Sequence, residues 1–152
     1  MAVPRDNPYG AFNFRLTVDR FGDAGSVQAG FQEISGLGME VAVAEYRNGN
    51  EKENYVRKMY GMPKATDVTL KRGVIGETAF FDWIKEIAGG DQSARRQVTI
   101  ELMDEAGQQP VMTWTLTNAW PMKYTPPTFN AKGGTDVAIE ELQLACEKVE
   151  VE

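Results

Sequence analysis

The chain has 152 residues, 42% hydrophobic and 25% charged, which is ordinary for a soluble globular protein and enough for a single domain with its own core. Sixteen basic against 22 acidic residues leave a formal net charge of −6, which disfavours non-specific nucleic-acid binding. With no histidine and one cysteine, Cys146, the chain cannot form an intramolecular disulfide, perform Ser–His or Cys–His catalysis, or use the commonest metal ligand.

In chain order, residues 11–22, AFNFRLTVDRFG, alternate strictly and predict a half-buried strand, with Phe12, Phe14, Leu16 and Val18 on one face. FGDAGS follows as a turn. VQAGFQEI predicts a second strand with Val27, Ala29 and Phe31 on one side, interrupted at SGLG. MEVAVAEY resumes alternation, with Met39, Val41 and Val43 in phase. Residues 45–61, EYRNGNEKENYVRKMYG, then predict a long connection carrying both charge signs and three tyrosines. Connections of that length in compact domains are functional or disordered, and disorder is poor in aromatics.

MPKATDVTLKRGV predicts a strand with Val68 and Leu70 facing in. Residues 77–88 predict the one helix. Phe80, Trp83, Ile84 and Ile87 form its apolar stripe, Phe81 widens it, and Asp82, Lys85 and Glu86 lie largely opposite. Glu77 suits the first turn, and Gly89–Gly90 stop the helix. RQVTIELMD and VMTWTLTNAW predict a hairpin around DEAGQQP, with Val98, Ile100 and Leu102 in phase on the first strand. PMKYTPPTFNAKGGTD reads as irregular. The last segment fits helical spacing through Ala138, Leu142, Ala145 and Val149. It also fits two alternating runs that switch at Glu140–Glu141, and a strand with a bulge is the favoured reading. The expected fold is mainly β: an antiparallel two-sheet barrel or sandwich with one flanking helix.

Residues that could carry chemistry are few, and no catalytic, cofactor or metal site is expected. Cys146 falls in phase with Leu142 and Leu144, as a small buried apolar residue would. Glu140 and Glu141 point to opposite faces of a strand, and Asp104 and Glu105 belong to a turn. Arg57 and Lys58 lie among aromatics, as in single-strand nucleic-acid binders, but Glu45, Glu51 and Glu53 precede them. The N-terminus lacks the apolar core of a secretory signal, and no apolar run reaches 18 residues. The expectation is a chain made and assembled in the cytoplasm, without membrane insertion by the monomer.

Several phrases taken in order carry a resemblance over residues 12–150: FNFRLTVD, FQEISGLGMEVAVAEYRNG, VTLKRGV, FFDWI and WTLTNAWP. In this order and spacing the chain resembles the tail-tube proteins of contractile phages and phage-derived contractile injection systems. The tube protein of type VI secretion is similar in fold. The resemblance implies a non-enzymatic subunit of hexameric rings stacked into a hollow tube, which delivers DNA or protein cargo through a target envelope. Its partners would be other copies of itself, a contractile sheath, baseplate or spike proteins, tube-terminating proteins and the cargo, with no specific nucleic-acid binding. The alternative is a low-copy tube-capping or spike-adaptor module, with an enzyme using carboxylates alone more remote. By the same resemblance, the 45–61 connection contacts neighbouring subunits through Tyr46, Arg47, Tyr55, Arg57, Met59 and Tyr60. Asp82, Lys85 and Glu86 would face outward toward sheath or solvent. Residues 47–57 depart from compact members by their length.

Overall fold

The computed structural model describes residues 6–19, 27–74, 78–134 and 136–152, with residues 27–29 described by backbone only. The turn expected at FGDAGS, the facing of Val27 and Ala29, and Glu77 lie outside the described residues.

Ten strands and one α-helix are described: β1 (Phe14–Val18), β2 (Val27–Ala29), β3 (Glu33–Ser35), β4 (Met39–Tyr46), β5 (Arg57–Ala65), β6 (Val68–Gly73), α1 (Ala79–Ala88), β7 (Arg96–Met103), β8 (Pro110–Thr125), β9 (Ile139–Ala145) and β10 (Lys148–Val151). Eight strands form one antiparallel sheet: seven follow the path β2-β1-β7-β8-β9-β6-β3, and β10 pairs with β8 off it. The strand β8 makes this path two-leaved. Straight, its 16 residues would run roughly 50 Å. Instead its first half pairs with β7 and β10, and its second half pairs with β9.

The change of partner falls at Asn118, whose φ of 52° puts it in the left-handed region, where Asn is tolerated better than most residues. Asn118 Nδ2 donates to Glu147 Oε2 at 2.8 Å, while Arg95 holds Oε1 of the same carboxylate at 2.8 Å. Pro121 follows at a register shift, a place where its missing N–H does not interrupt the ladder. This corrects the reading of PMKYT as irregular, since those residues complete β8.

Leu16, Val18, Val98, Ile100 and Leu116 from one leaf meet Val68, Leu70, Leu142 and Leu144 from the other in a single core. Phe80 and Trp83 of α1 join it, and the Trp83 indole N–H donates to the Ala94 carbonyl at 2.7 Å. The result is a sandwich and not a closed barrel. The two ends of the path, β2 and β3, are three-residue strands that pair with β1 and β6 but not with each other. The segment VQAGFQEI therefore forms two strands, one on each leaf. Phe12 precedes β1 and is exposed, so the inward face of that strand starts at Phe14. The terminal segment is strand, as favoured. Its break comes at Cys146–Glu147 and not at Glu140–Glu141, so Glu140 shares the buried face with Leu142 and Leu144.

Gly36 fixes the chain's exit toward β4. Its φ is +86°, and an added Cβ would sit 2.1 Å from the Asp67 carbonyl oxygen. Gly36→Ala is expected to lower stability by about 1–3 kcal/mol through both strain and clash. Gly49→Ala, which meets nothing within 4 Å, should leave the urea midpoint unchanged and serves as the control.

Candidate functional site

The 45–61 connection is not a loop. Glu45 and Tyr46 finish β4, and Arg57–Gly61 open β5, leaving only residues 47–56 as the turn of a two-stranded hairpin. Backbone pairing continues from Met39↔Ala65 to Tyr46↔Arg57, with Gly61 and Met62 together opposite Ala42 as a bulge. The root is latched by Thr66. Its hydroxyl contacts the Gly36 and Gly38 carbonyls and accepts from Gly38 N–H at 3.1 Å. At the tip, the Arg47 guanidinium donates to the Glu51 and Glu53 carbonyls and to Asn54 Oδ1, and Arg57 pairs with Glu51 at 3.2 Å. Tyr46 O–H donates to Asn48 Oδ1. Arg47 thus spends its donors inside the turn, whereas Tyr55, Met59 and Tyr60 are exposed.

The register sorts the side chains. One face carries Met39, Val41, Val43, Tyr60 and Pro63, with the Glu45–Lys58 pair toward the tip. The other carries Ala44, Met59, Tyr46 and Arg57, with Glu40 opposite Lys64. From Met39 to Lys64 every strand residue is exposed, and among the described residues both outer edges lack a strand partner. An isolated two-stranded ribbon is marginal in water, and a contiguous exposed apolar patch marks an interaction surface. Met39, Val41, Val43 and Met62 belong to this surface; alternation puts the first three on one face without saying what covers it. Their missing counterpart, a polar outer face, was the available clue.

The helix behaves as its stripe predicts, with Phe80 and Trp83 buried, Ile84 and Ile87 partly so, and Asp82, Lys85 and Glu86 exposed. Glu86 is nevertheless engaged, bonding Arg96 at 3.0 Å. Phe81 is half exposed rather than part of the core face, lying edge-on to Tyr124 with the Lys85 ammonium 5.1 Å from its ring.

A buried polar cluster lies behind the helix and was not foreseen. Arg72 Nε meets Glu140 Oε1 at 2.5 Å with both side chains buried, and Tyr124 donates to Glu140 Oε2 at 2.8 Å. The guanidinium lies 3.9 Å from the centre of the Phe80 ring, which stacks on Phe31. The hydrogen bond to Glu140, then burial, then the carboxylate's charge push the Tyr124 phenol above its usual range. Cys146 lies just past β9, half-buried, its thiol pushed up by burial and then by Asp67. Among the described residues no group of three or more acidic, Cys or His side chains could hold a metal, and no helix is long and apolar enough to cross a membrane.

The family model described as T4-like virus tail tube protein gp19 matches residues 10–150, and the chain belongs to that family. Among solved structures, a chain of the sheath–tube complex of an extracellular contractile injection system, PVC, in the extended state is 32% identical. That match covers 97% of this chain and 93% of the other, with a TM-score of 0.82. A chain of the anti-feeding prophage tube-terminating cap is 29% identical over 100% of this chain and 95% of its own, also at 0.82. Hcp1 from Flavobacterium johnsoniae shares the fold at 13% identity, covering 92% and 94%, with a TM-score of 0.56. Comparison with curated protein sequences finds no match.

Proposed function

We propose that this chain is a non-enzymatic inner-tube subunit of a contractile tail or extracellular contractile injection system. Copies join into hexameric rings, and rings stack into a hollow tube whose lumen passes cargo through a target envelope. A sheath surrounds the tube, and baseplate and terminating proteins close its ends. The observation that carries this reading is the β4–β5 hairpin, whose apolar faces and open edges have no cover within the described residues. Neighbours in the tube supply that cover, while the sandwich core folds without them. Tyr46, Tyr55, Met59 and Tyr60 provide contact area, Arg57 provides charge, and Arg47 shapes the turn that presents them. Asp82, Lys85 and Glu86 face the sheath.

Negative-stain microscopy of the purified protein should show rings about one subunit thick and stacked tubes. Tyr55→Ser with Tyr60→Ser should leave a folded subunit, since both side chains are exposed. Interface aromatics contribute about 2 kcal/mol each, so the double variant should shift assembly to concentrations at least tenfold higher. Tubes of normal length at the parent concentration would overturn the hairpin assignment. A second reading, a low-copy tube terminator, is favoured by the similarity to chains in the anti-feeding prophage cap and the PVC sheath/tube terminator structures. Single rings that never stack would support it.

A further inference from the structure

We propose, resting on the reading of the hairpin as a contact between copies, that Tyr60 of one copy seats in an apolar groove between the two leaves of another. The groove holds about 320 Å³. Phe14, Ile34, Leu37, Leu102 and Trp114 wall it over the buried Ile100. All five wall residues are only partly buried, so the sandwich leaves its core open here, on the side where β3 ends the strand path. A volume of this size accommodates a large aromatic side chain, and a lining of this kind favours one.

The occupant is argued from the same molecule. Tyr60 is 91% exposed and Met62 83%, the two most exposed large apolar side chains among the described residues. Tyrosine fits better than methionine because the lip of the groove is polar. Gln32 and Glu33 stand there, able to bond a phenol whose ring is buried beneath them. Charge also matches. Lys58 lies two residues before Tyr60 on the same hairpin face, and the Glu33 side chain is 55% exposed, with Lys71 at the long distance of 3.7 Å. Knob and groove are different surfaces of the chain, so the contact is heterologous. It passes from copy to copy and closes into rings or continues as a filament, instead of ending at a two-fold dimer.

The test places the photo-reactive residue p-benzoylphenylalanine at position 60, irradiates the assembled protein and maps the products by mass spectrometry. Links to residues 11–14, 32–37, 100–102 or 114 of another copy are expected. Links to another copy at other residues would sink the groove assignment and leave the hairpin reading intact. No link between copies, in material that has assembled, would overturn both. Should the substitution stop assembly, the same reagent at Leu102 is read for links to residues 57–63, with the same meanings. Independently, Leu102→Lys should raise the concentration for half-assembly at least tenfold while the isolated subunit keeps its melting temperature within a few degrees. Assembly at the parent concentration by a folded Leu102→Lys subunit would overturn the proposal.

Discussion

Glu140→Ala is expected to lower subunit stability by about 3–5 kcal/mol, a large share of the 5–15 kcal/mol typical of a domain. The cost comes from what is left behind. Arg72 is 3% exposed, and its guanidinium would stay in the interior without the Glu140 carboxylate that it bonds. Replacing both partners is a different experiment. Arg72→Met with Glu140→Leu removes the buried charges together and should fall close to the parent, or above it. Urea midpoints of the three variants separate the worth of the pair from the penalty of removing one side of it. Tyr124 supplies a spectroscopic check. Its raised phenol contributes stability that is complete below the usual pH of about 10 and is lost as pH rises through the higher folded value. In Glu140→Ala the hydrogen bond that raises the phenol is gone, so the phenolate absorbance should titrate lower and the alkaline loss of stability should flatten. A variant as stable as the parent would show that the cluster is already solvated.

The phrases legible in the sequence turn out to be places where backbone geometry leaves little choice of residue. In FQEISGL, Phe31 stacks on Phe80, Ile34 and Leu37 pack on the core, and Gly36 passes over the Asp67 carbonyl. In WTLTNAWP, Leu116 and Ala119 are fully buried, Asn118 takes the left-handed bend and Pro121 occupies the bulge. In FFDWI, Phe80 and Trp83 form the buried stripe. Alternation located these strands because each has one wet face.

The same rule failed at the hairpin for a physical reason. Period two identifies a face that needs cover but not whose side chains provide it. Met39, Val41 and Val43 therefore read like Leu16 and Val18, although the first group is bare and the second is core. The turn was overextended because Arg57–Gly61, rich in charge and interrupted by glycine, lacks the composition of a strand. The two acidic residues 140 and 141 looked like a phase switch. A buried glutamate is rare without a partner, and its partner, Arg72, is 68 residues away on a strand whose neighbour could not be deduced from pattern.

Phe80→Ala and a charge exchange on the opposite helix face are expected to fail in different ways. Phe80 is 2% exposed, stacked on Phe31 at 5.6 Å and covered by the Arg72 guanidinium. Removing its ring leaves a cavity and opens the ion pair behind it, at a cost of about 3–5 kcal/mol. Because Arg72 touches both Phe80 and Glu140, the double variant Phe80→Ala, Glu140→Ala should cost less than the sum of the two single changes. Lys85→Glu with Glu86→Lys keeps net charge and burial, yet it is not silent. It breaks the Glu86–Arg96 pair, sets a lysine against that arginine, and puts a carboxylate over the Phe81 ring. Both sites have a partner open to solvent, so the exchange should cost only about 1 kcal/mol. If this face docks the sheath as proposed, the larger effect is on assembly, where reversed charges should weaken the docking of sheath on tube. Thermal melting of both variants beside sheath co-assembly decides the matter. Phe80→Ala should melt well below the parent. The exchange should melt near it and polymerise sheath poorly. If Phe80→Ala instead melts like the parent and fails to build tubes, that face of the helix contacts another subunit in solution and the core assignment is wrong.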